Sequence, residues 1–428
     1  MERVCLINPP SPFLLDERVF PYLGLLYVAT AMQMSGQPVK VMDLSGRKDY
    51  LEEVNKQIDN FDIFGITSTS SQFQYAYKIM HTIKQKYNKK VAIGGPHATA
   101  MFSLKKRRIR DHNLKTLSEF DIIIAGDGET GFREMFKEGP KFRQSQMIDS
   151  NAIGIPSRDF YDIDSYYYEL NNKKATTILT QRGCPFKCNF CAGRTIDEYR
   201  KSRQNSPELV KNEMEYLNIL GYDAFMWFDD ELNINPNRLK KINGLIGNKY
   251  KHRGFLSSDL LVKYPKSLDY LADMGFVELC IGVESGSNEI LNRIGKGTTT
   301  EINTKAVKMI KEKGIGIKAF TMVGHPGETY NDVMKTKQWL KKNKPDIFDI
   351  GLLQPYPSSI MYDEAVPSTK YKGFPFEWKG LYFKKPDYSK DTLFHKGTPG
   401  TYQCYTRTDK LNSEDFIKLR EEIECELT

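Results

Sequence analysis

Thr177-Ile178-Leu179-Thr180-Gln181-Arg182-Gly183-Cys184-Pro185-Phe186-Lys187-Cys188-Asn189-Phe190-Cys191 is the stretch that decides how this chain is read. A short β-branched run ends at Gly183, and three of the seven cysteines come next at spacings of four and three. The others, Cys5, Cys280, Cys404 and Cys425, are scattered. An odd count in a chain of 428 residues argues against a disulfide framework, because a chain this long builds a core without staples. Thiolates favour soft metals and iron–sulfur clusters. Structural zinc wants four ligands, and no second cysteine pair is present. Three thiolates suit a four-iron cluster whose fourth iron stays open to a cofactor or substrate. Zinc and coincidental placement are the alternatives that the spacing leaves open.

On both sides of the triplet, apolar runs alternate with helix-patterned stretches. From the triplet onward, strands are expected at 177–180, 224–228, 255–257, 277–281, 317–323 and 348–352, with helices such as 208–220, 265–274 and 301–313 between them. Six strand–helix units in roughly 180 residues suit a partial TIM-type (β/α)6 barrel, whose chemistry sits at the strand C-termini. Upstream, strands at 4–7, 39–42, 61–66, 91–93 and 121–125 alternate with helices at 24–34 and 72–87. That pattern implies a doubly wound, Rossmann-like parallel sheet, so the fold class is α/β. The loops after those strands are rich in Gly, Ser, Thr and Pro, as ligand-holding loops of open α/β sheets are. The expected division is a domain over 1–136, a linker over 137–172, a barrel over 173–366 and a C-terminal extension over 367–428 ending in a helix at 413–427.

Hydrophobic residues make up 40% of the chain and charged residues 27%, and mean hydropathy is −0.52. No apolar run approaches the ~18 residues of a membrane span. The apolar stretch 23–34 is too short and too late for a secretory signal. A soluble, cytoplasmic globular chain is expected. The net charge of +8 is small for the length. Its one dense block, Lys105, Lys106, Arg107, Arg108 and Arg110, reads as a solvated face, with an anion-binding patch as the alternative. It lacks the interleaved aromatics of a single-strand binder, so nucleic acid is unsupported as a partner.

The triplet, with Phe190 before its last cysteine, resembles the cluster motif of the radical S-adenosylmethionine (SAM) superfamily. The downstream sequence is similar to its cobalamin-binding subfamily through Trp227-Phe228-Asp229-Asp230-Glu231, Ile281-Gly282-Val283-Glu284-Ser285-Gly286-Ser287, Gly324-His325-Pro326-Gly327-Glu328-Thr329 and Gln354-Pro355-Tyr356-Pro357. Upstream, Asn8-Pro9-Pro10, Tyr22-Leu23-Gly24-Leu25, Gly94-Gly95-Pro96-His97-Ala98-Thr99 and Gly126-Asp127-Gly128-Glu129 match the same subfamily. In this order they carry the resemblance over about residues 3 to 365.

The resemblance implies that Cys184, Cys188 and Cys191 ligate a [4Fe-4S] cluster whose open iron is chelated by S-adenosylmethionine. It places Phe190 against the adenine, Asp229 or Asp230 on the methionyl amine, and Glu284 with Ser285 near the ribose. Gly324, Glu328 and Gln354 would line the nucleoside. Cobalamin would lie on Tyr22, Leu23, Gly24, Ser68, Thr69, Ser70, Gly94, Gly95, His97, Gly126, Gly128 and Glu129. The Asp-x-His-x-x-Gly signature of cobalt ligation through His is absent, so His97 reads as a loop or outer residue.

The implied activity is a cobalamin-dependent radical SAM methyltransferase, moving a methyl group from methylcobalamin to a substrate carbon radical. Non-methyl radical chemistry (oxidative cyclisation, ring contraction or hydroxylation) and a non-catalytic cluster and cobalamin sensor are the alternatives. A flavodoxin or ferredoxin would supply the electron. No single catalytic side chain is assigned. Two features stand apart from the pattern. Ser358-Ser359 replaces the family's Gly-Thr after Pro357, and Phe374, Phe376, Trp378, Tyr382 and Phe383 in the extension read as packing or as substrate recognition.

Overall fold

The computed structural model describes residues 2–391 and 400–427. The chain forms two compact units: one runs to Tyr167 and takes in the short segment starting at Pro386, and the other holds the remainder from Tyr168.

The first unit is a six-stranded, all-parallel sheet. Its strands are β1 (Val4–Asn8), β2 (Val39–Asp43), β3 (Ile63–Thr67), β4 (Lys90–Gly94), β5 (Ile122–Ala125) and β6 (Phe142–Gln144), in the order β2-β1-β3-β4-β5-β6. β1, β3 and β5 are apolar runs buried along their whole length, as strands covered on both faces must be. The crossovers carry α1 (Leu23–Met34), α2 (Tyr50–Gln57), α3 (Phe73–Tyr87), α4 (Gly95–Lys106), α5 (Asn113–Leu117) and α6 (Gly128–Gly131). Strand order reverses between β1 and β3, so the loops leaving those two strands diverge and open a crevice.

Two expectations change here. Gly94 and Gly95 form no loop, because β4 runs through Gly94 and α4 starts at Gly95, which places His97 in its first turn. The span 137–172 is not plain linker, because β6 lies within it and joins β5 in parallel. β6 holds an arginine inside Phe-Arg-Gln, so no apolar alternation announced it. The basic block falls on the last turn of α4 and the exposed loop beyond, with the Lys105 ammonium 3.4 Å from the Phe142 ring centroid.

The second unit is a curled half-barrel. β7 (Tyr168–Leu170) pairs antiparallel with β8 (Lys173–Ile178). A short antiparallel pair comes next, β9 (Gln181–Arg182) and β10 (Arg203–Gln204), flanking α7 (Asp197–Arg200). Five strands then continue the sheet from β8 in parallel: β11 (Ala224–Trp227), β12 (Lys251–Leu256), β13 (Phe276–Glu284), β14 (Gly316–Val323) and β15 (Ile347–Leu352). Between them lie α8 (Pro207–Ile219), α9 (Pro236–Ile246), α10 (Ser258–Lys263), α11 (Lys266–Met274), α12 (Asn288–Arg293), α13 (Thr300–Glu312) and α14 (Tyr330–Asn343).

The helix starts are written locally. Ser206 and Asn235 cap α8 and α9 just ahead of Pro207 and Pro236, and Thr329 with Asp332 forms a capping box for α14. β8 and β12 extend further toward their N-termini than expected, through Lys173-Lys174 and Lys251-His252-Arg253. Charge hid those ends, and in β12 it is matched within the sheet, where Arg253 pairs with Glu278 of β13 at 2.7 Å.

After α15 (Ile360–Asp363), an unforeseen antiparallel sheet forms from β16 (Val366–Pro367), β17 (Phe376–Trp378), β18 (Leu381–Phe383) and β19 (Thr406–Arg407). Trp378, Tyr382 and Phe383 are buried in it, the packing role, while Phe374 and Phe376 are half-buried. The terminal helix α16 (Ser413–Leu427) covers the edge strand β15, where Arg420 Nε donates to the Ile350 carbonyl. Among the described residues no helix is long and apolar enough to cross a membrane.

Candidate functional site

The three cysteines follow β8 and the short β9, on the rim where all the parallel strands of the half-barrel end. The chain turns at Gly183, whose φ of +84° and contact with the Lys201 carbonyl leave no room for a side chain. Backbone bonds pin the loop: Cys184 N–H donates to Tyr199 O at 3.0 Å and Asn189 N–H to Ile294 O at 2.9 Å. Buried Arg194 holds it from within, donating to the carbonyls of Cys184, Phe186 and Tyr199. Burial raises the pKa of all three thiols, while Arg194 beside Cys184 and Cys191, and Lys296 beside Cys188, act the other way. Ser358 braces the far end. It takes a glycine-like φ of +67°, its Oγ accepts from Gly193 N–H at 2.9 Å, and its carbonyl accepts from Thr195 N–H at 3.1 Å. The serine that stands where the family has glycine therefore takes a left-handed backbone conformation, and its side chain ties down Gly193.

Three acids end β11. Asp229 is 2% exposed and fully engaged. Its Oδ1 accepts from the Thr180 and Gln181 N–H groups at 2.6 and 3.0 Å, and its Oδ2 from the Thr180 hydroxyl at 2.5 Å. Burial pushes its pKa up to about 6 despite Arg238 and these donors. Asp230 accepts from Gly183 N–H at 2.6 Å through one oxygen, and the other meets no donor among the described residues. Glu231 is buried, accepts from Ser257 N–H at 2.8 Å, and is pushed up to about 8 by burial.

On β13, Glu284 has a φ of +63° where the register with β14 slips. Its carboxylate meets Lys296 Nζ at 2.8 Å. The pair lies over Gly282, where a Cβ would sit 2.6 Å from the ammonium. Burial opposes the Lys296 charge, yet Glu284, Cys188 and Glu231 raise its pKa overall. Ser285 instead faces α14, 3.3 Å from Thr336 Oγ1. After β14, Glu328 Oε2 accepts from Gly324 and His325 N–H at 2.6 and 3.1 Å, which folds that turn. Its Oε1 and the Oε1 of Gln354, beyond β15, are buried without a hydrogen bond. Orphaned buried oxygens on adjacent loops point to a polar ligand. Phe190 is half-buried on the cysteine loop.

In the first unit, Gln72 joins the loops that leave β1 and β3. Its Nε2 donates to Ser11 Oγ at 2.6 Å, and its Oε1 accepts from the N–H and hydroxyl of Thr69, both at 3.1 Å. The Tyr22 ring lies on Gly24, and its hydroxyl is 3.4 Å from Thr67 Oγ1. At Gly95, with φ +88°, a Cβ would come within 2.7 Å of Thr67 Oγ1, so the two strand ends meet backbone to side chain. Ser68, Thr69, Ser70, Gly94 and Gly126 share this C-terminal edge. Leu23 and Glu129 are buried, and Gly128 packs α6 on α1, where a Cβ would lie 2.6 Å from Val28. His97 is buried against Phe73, with ring centroids 4.3 Å apart, and its Nδ1 is 3.0 Å from Ser70 Oγ. Burial drops its pKa to about 3, so the ring is neutral. His97 Nε2 and Asn8 Oδ1 are buried without a hydrogen bond.

The B12-binding domain family matches residues 17–136, and the radical SAM superfamily matches residues 178–340. This chain joins a B12-binding domain to a radical SAM domain. It is 28% identical over 395 residues to an uncharacterised methyltransferase of Pyrococcus horikoshii, covering 85% of this chain and 83% of that one. It is 24% identical over 356 residues to bacteriochlorophyllide d C-8(2)-methyltransferase of Chlorobaculum tepidum, covering 79% and 75%. The fold is that of the radical SAM methyltransferase TsrM from Kitasatospora setae, with a TM-score of 0.62 at 19% identity over 90% of this chain and 81% of that one.

The radical SAM domain implies a [4Fe-4S] cluster and S-adenosylmethionine, and the B12-binding domain implies cobalamin. The residues fit. Three unbridged thiols on one loop suit the cluster, although among the described residues no three such side chains already converge as a metal cage. The orphaned oxygens Glu328 Oε1 and Gln354 Oε1 suit a nucleoside, and the polar crevice at Asn8, Ser68 and Ser70 suits an amide-bearing macrocycle. Sequence reasoning missed Lys296, Arg194 and Gln72 as site residues. Lys296 sits in Lys-Gly-Thr beyond α12, with nothing in its local pattern to set it apart from a surface lysine.

Proposed function

We propose that this protein is a cobalamin-dependent radical SAM C-methyltransferase. The single observation that carries the reading is the three-thiol loop without a fourth cysteine, on the C-terminal rim of a half-barrel in a chain that also holds a B12-binding sheet. When bound, the cluster with S-adenosylmethionine supplies a 5'-deoxyadenosyl radical, and cobalamin supplies the methyl group.

Cys184, Cys188 and Cys191 would hold the cluster, with Arg194 and Ser358 fixing the loop that carries them. Asp230, with an oxygen free, would take the methionyl amine, and Lys296 would balance the methionyl carboxylate. Glu284, released from part of its ion pair, would accept from ribose hydroxyls. Glu328, protonated on its unpartnered oxygen, would donate to an adenine ring nitrogen or a ribose oxygen, Gln354 would accept from the adenine amine or a ribose hydroxyl, and Phe190 would lie against the base. Asp229 acts one step back, holding Thr180 and Gln181 so that the loop begins in the right place. Tyr22, Ser68, Thr69, Ser70, Gly94 and Gly95 would receive cobalamin.

The test is anaerobic incubation of the reconstituted protein with S-adenosylmethionine and dithionite. The expected product is 5'-deoxyadenosine, absent in Cys188→Ala. Retention of the corrin absorption bands after desalting supports methyl transfer, and a protein that keeps its cluster absorption but lacks those bands would remove it.

A further inference from the structure

One short stretch of the B12-binding unit carries most of the chain's net charge. Residues 105–115 hold six basic side chains, Lys105, Lys106, Arg107, Arg108, Arg110 and Lys115, against the single acid Asp111, which leaves the rest of the chain with 56 against 53. All six are exposed, and Lys106, Arg108, Arg110 and Lys115 make no ion pair or side-chain hydrogen bond among the described residues. The neighbouring acids are already engaged. Asp111 Oδ1 accepts from the backbone N–H and the side-chain amide of Asn113, both at 2.9 Å, while Glu119 meets Tyr77 and His81, and Asp121 meets Lys84. The backbone adds a second, independent sign. α4 ends in a Schellman turn, with Arg108 N–H donating to Lys105 O at 3.0 Å and Ile109 N–H to Leu104 O at 2.9 Å. Its left-handed position, where glycine fits without strain, holds Arg108 at a φ of +59°. Lys105 and Lys106 in the last turn suit the helix dipole, but that does not account for a strained arginine and a further one at 110. α4 runs antiparallel to the strands, so this turn lies at their N-terminal edge, away from the ligand-holding loops.

We infer that residues 105–115 dock this protein on a membrane surface rich in anionic phospholipid. A cluster of about four to eight Lys and Arg side chains is what a flat anionic bilayer attracts. A single-stranded nucleic acid needs a groove that tracks its backbone and open rings on which its bases stack. Here the cations project from one turn, and the adjacent rings, Phe102 and Phe142, are half-buried, with the Lys105 ammonium lying over Phe142. The attachment is electrostatic, so salt weakens it, and a basic patch by itself gives reversible binding rather than a stable anchor. Neither the cluster nor cobalamin takes part, so the docking stands or falls apart from the proposed reaction.

The experiment sediments the full chain with vesicles of phosphatidylcholine alone, or of equal parts phosphatidylcholine and phosphatidylglycerol, at low and at high salt. Two variants accompany the wild type. Lys106→Gln/Arg108→Gly/Arg110→Gln removes three charges and puts glycine at the left-handed position, and Lys106→Arg/Arg110→Lys keeps every charge. Thermal unfolding checks that both fold. The wild type and the charge-keeping variant should bind the phosphatidylglycerol vesicles at low salt and leave them at high salt. The neutral variant should bind at least ~10-fold more weakly, and none should bind phosphatidylcholine alone. Absence of wild-type binding to the anionic vesicles overturns the inference, as does equal binding to both vesicle types, or a neutral variant within about twofold of wild type. Transfer of the wild-type chain from anionic vesicles to an RNA oligonucleotide at equal phosphate concentration also overturns it, and would make the surface one for nucleic acid.

Discussion

Asp229 separates a positioning carboxylate from a ligand, and the structure sets the size of each effect. Asp229→Ala strands two backbone N–H groups and one hydroxyl, all buried, at about 1–3 kcal/mol each. Against this, the alanine removes a carboxylate whose pKa is pushed from 3.8 up to about 6, a burden of about 3 kcal/mol at neutral pH. The balance is a loss of about 3 kcal/mol, or about 6–12 °C in the melting of a unit this size. Asp229→Asn keeps an oxygen for both N–H groups, and its amide can donate to the Thr180 hydroxyl, so it should cost about 1 kcal/mol. The assay is thermal unfolding of both variants, paired with equilibrium binding of S-adenosylmethionine to the cluster-loaded protein. The asparagine variant should bind within about threefold of wild type. Were Asp229 the partner of the methionyl amine, losing a charged hydrogen bond of about 1.5–3 kcal/mol would weaken binding by about 10- to 150-fold. A folded Asp229→Asn protein with that loss refutes the positioning role.

Gly282→Ala should push Lys296 and Glu284 apart and weaken S-adenosylmethionine binding at least ~10-fold, with iron content unchanged by metal analysis. Ser358→Gly should relieve a left-handed serine but release Gly193 N–H, and the sharper readout is a broadened cluster EPR signal. His252 is held near pKa 3 by burial, below its free value of 6.5, so it binds no proton when folded and takes one up on unfolding. Stability therefore falls as pH drops below 6.5, and His252→Phe should gain on wild type by about 1.4 kcal/mol per pH unit in that window, measured by denaturant unfolding. Glu328 runs the opposite way. With its pKa pushed up to about 8 it holds a proton when folded, so stability falls as pH rises from about 4.5 to 8, and Glu328→Gln should abolish that slope.

The parallel strands were readable wherever burial on both faces demanded an unbroken apolar run, as in β1, β3 and β5. They were hidden wherever a strand carried charge matched only in three dimensions, as in β6 with Arg143 and the start of β12 with Arg253. The cysteine loop was legible because three thiols at close spacing have few other uses. Its supports were not: Arg194 bonds to carbonyls, and Ser358 reaches across 165 residues of sequence to Gly193. The acids after β11 were visible as a group, but which one has a free oxygen depends on the amides that each meets. Two glycines before Pro96 signal a turn and put His97 in a loop, whereas the structure shows a strand running straight into a helix.

Anaerobic iron and sulfide analysis with low-temperature EPR of the dithionite-reduced protein, before and after S-adenosylmethionine, bears on the thiol triplet most directly. The expected result is about four irons and four sulfides per chain and a reduced-cluster signal that shifts on adding the sulfonium. One zinc per chain, or iron whose signal ignores both reductant and S-adenosylmethionine, would contradict it.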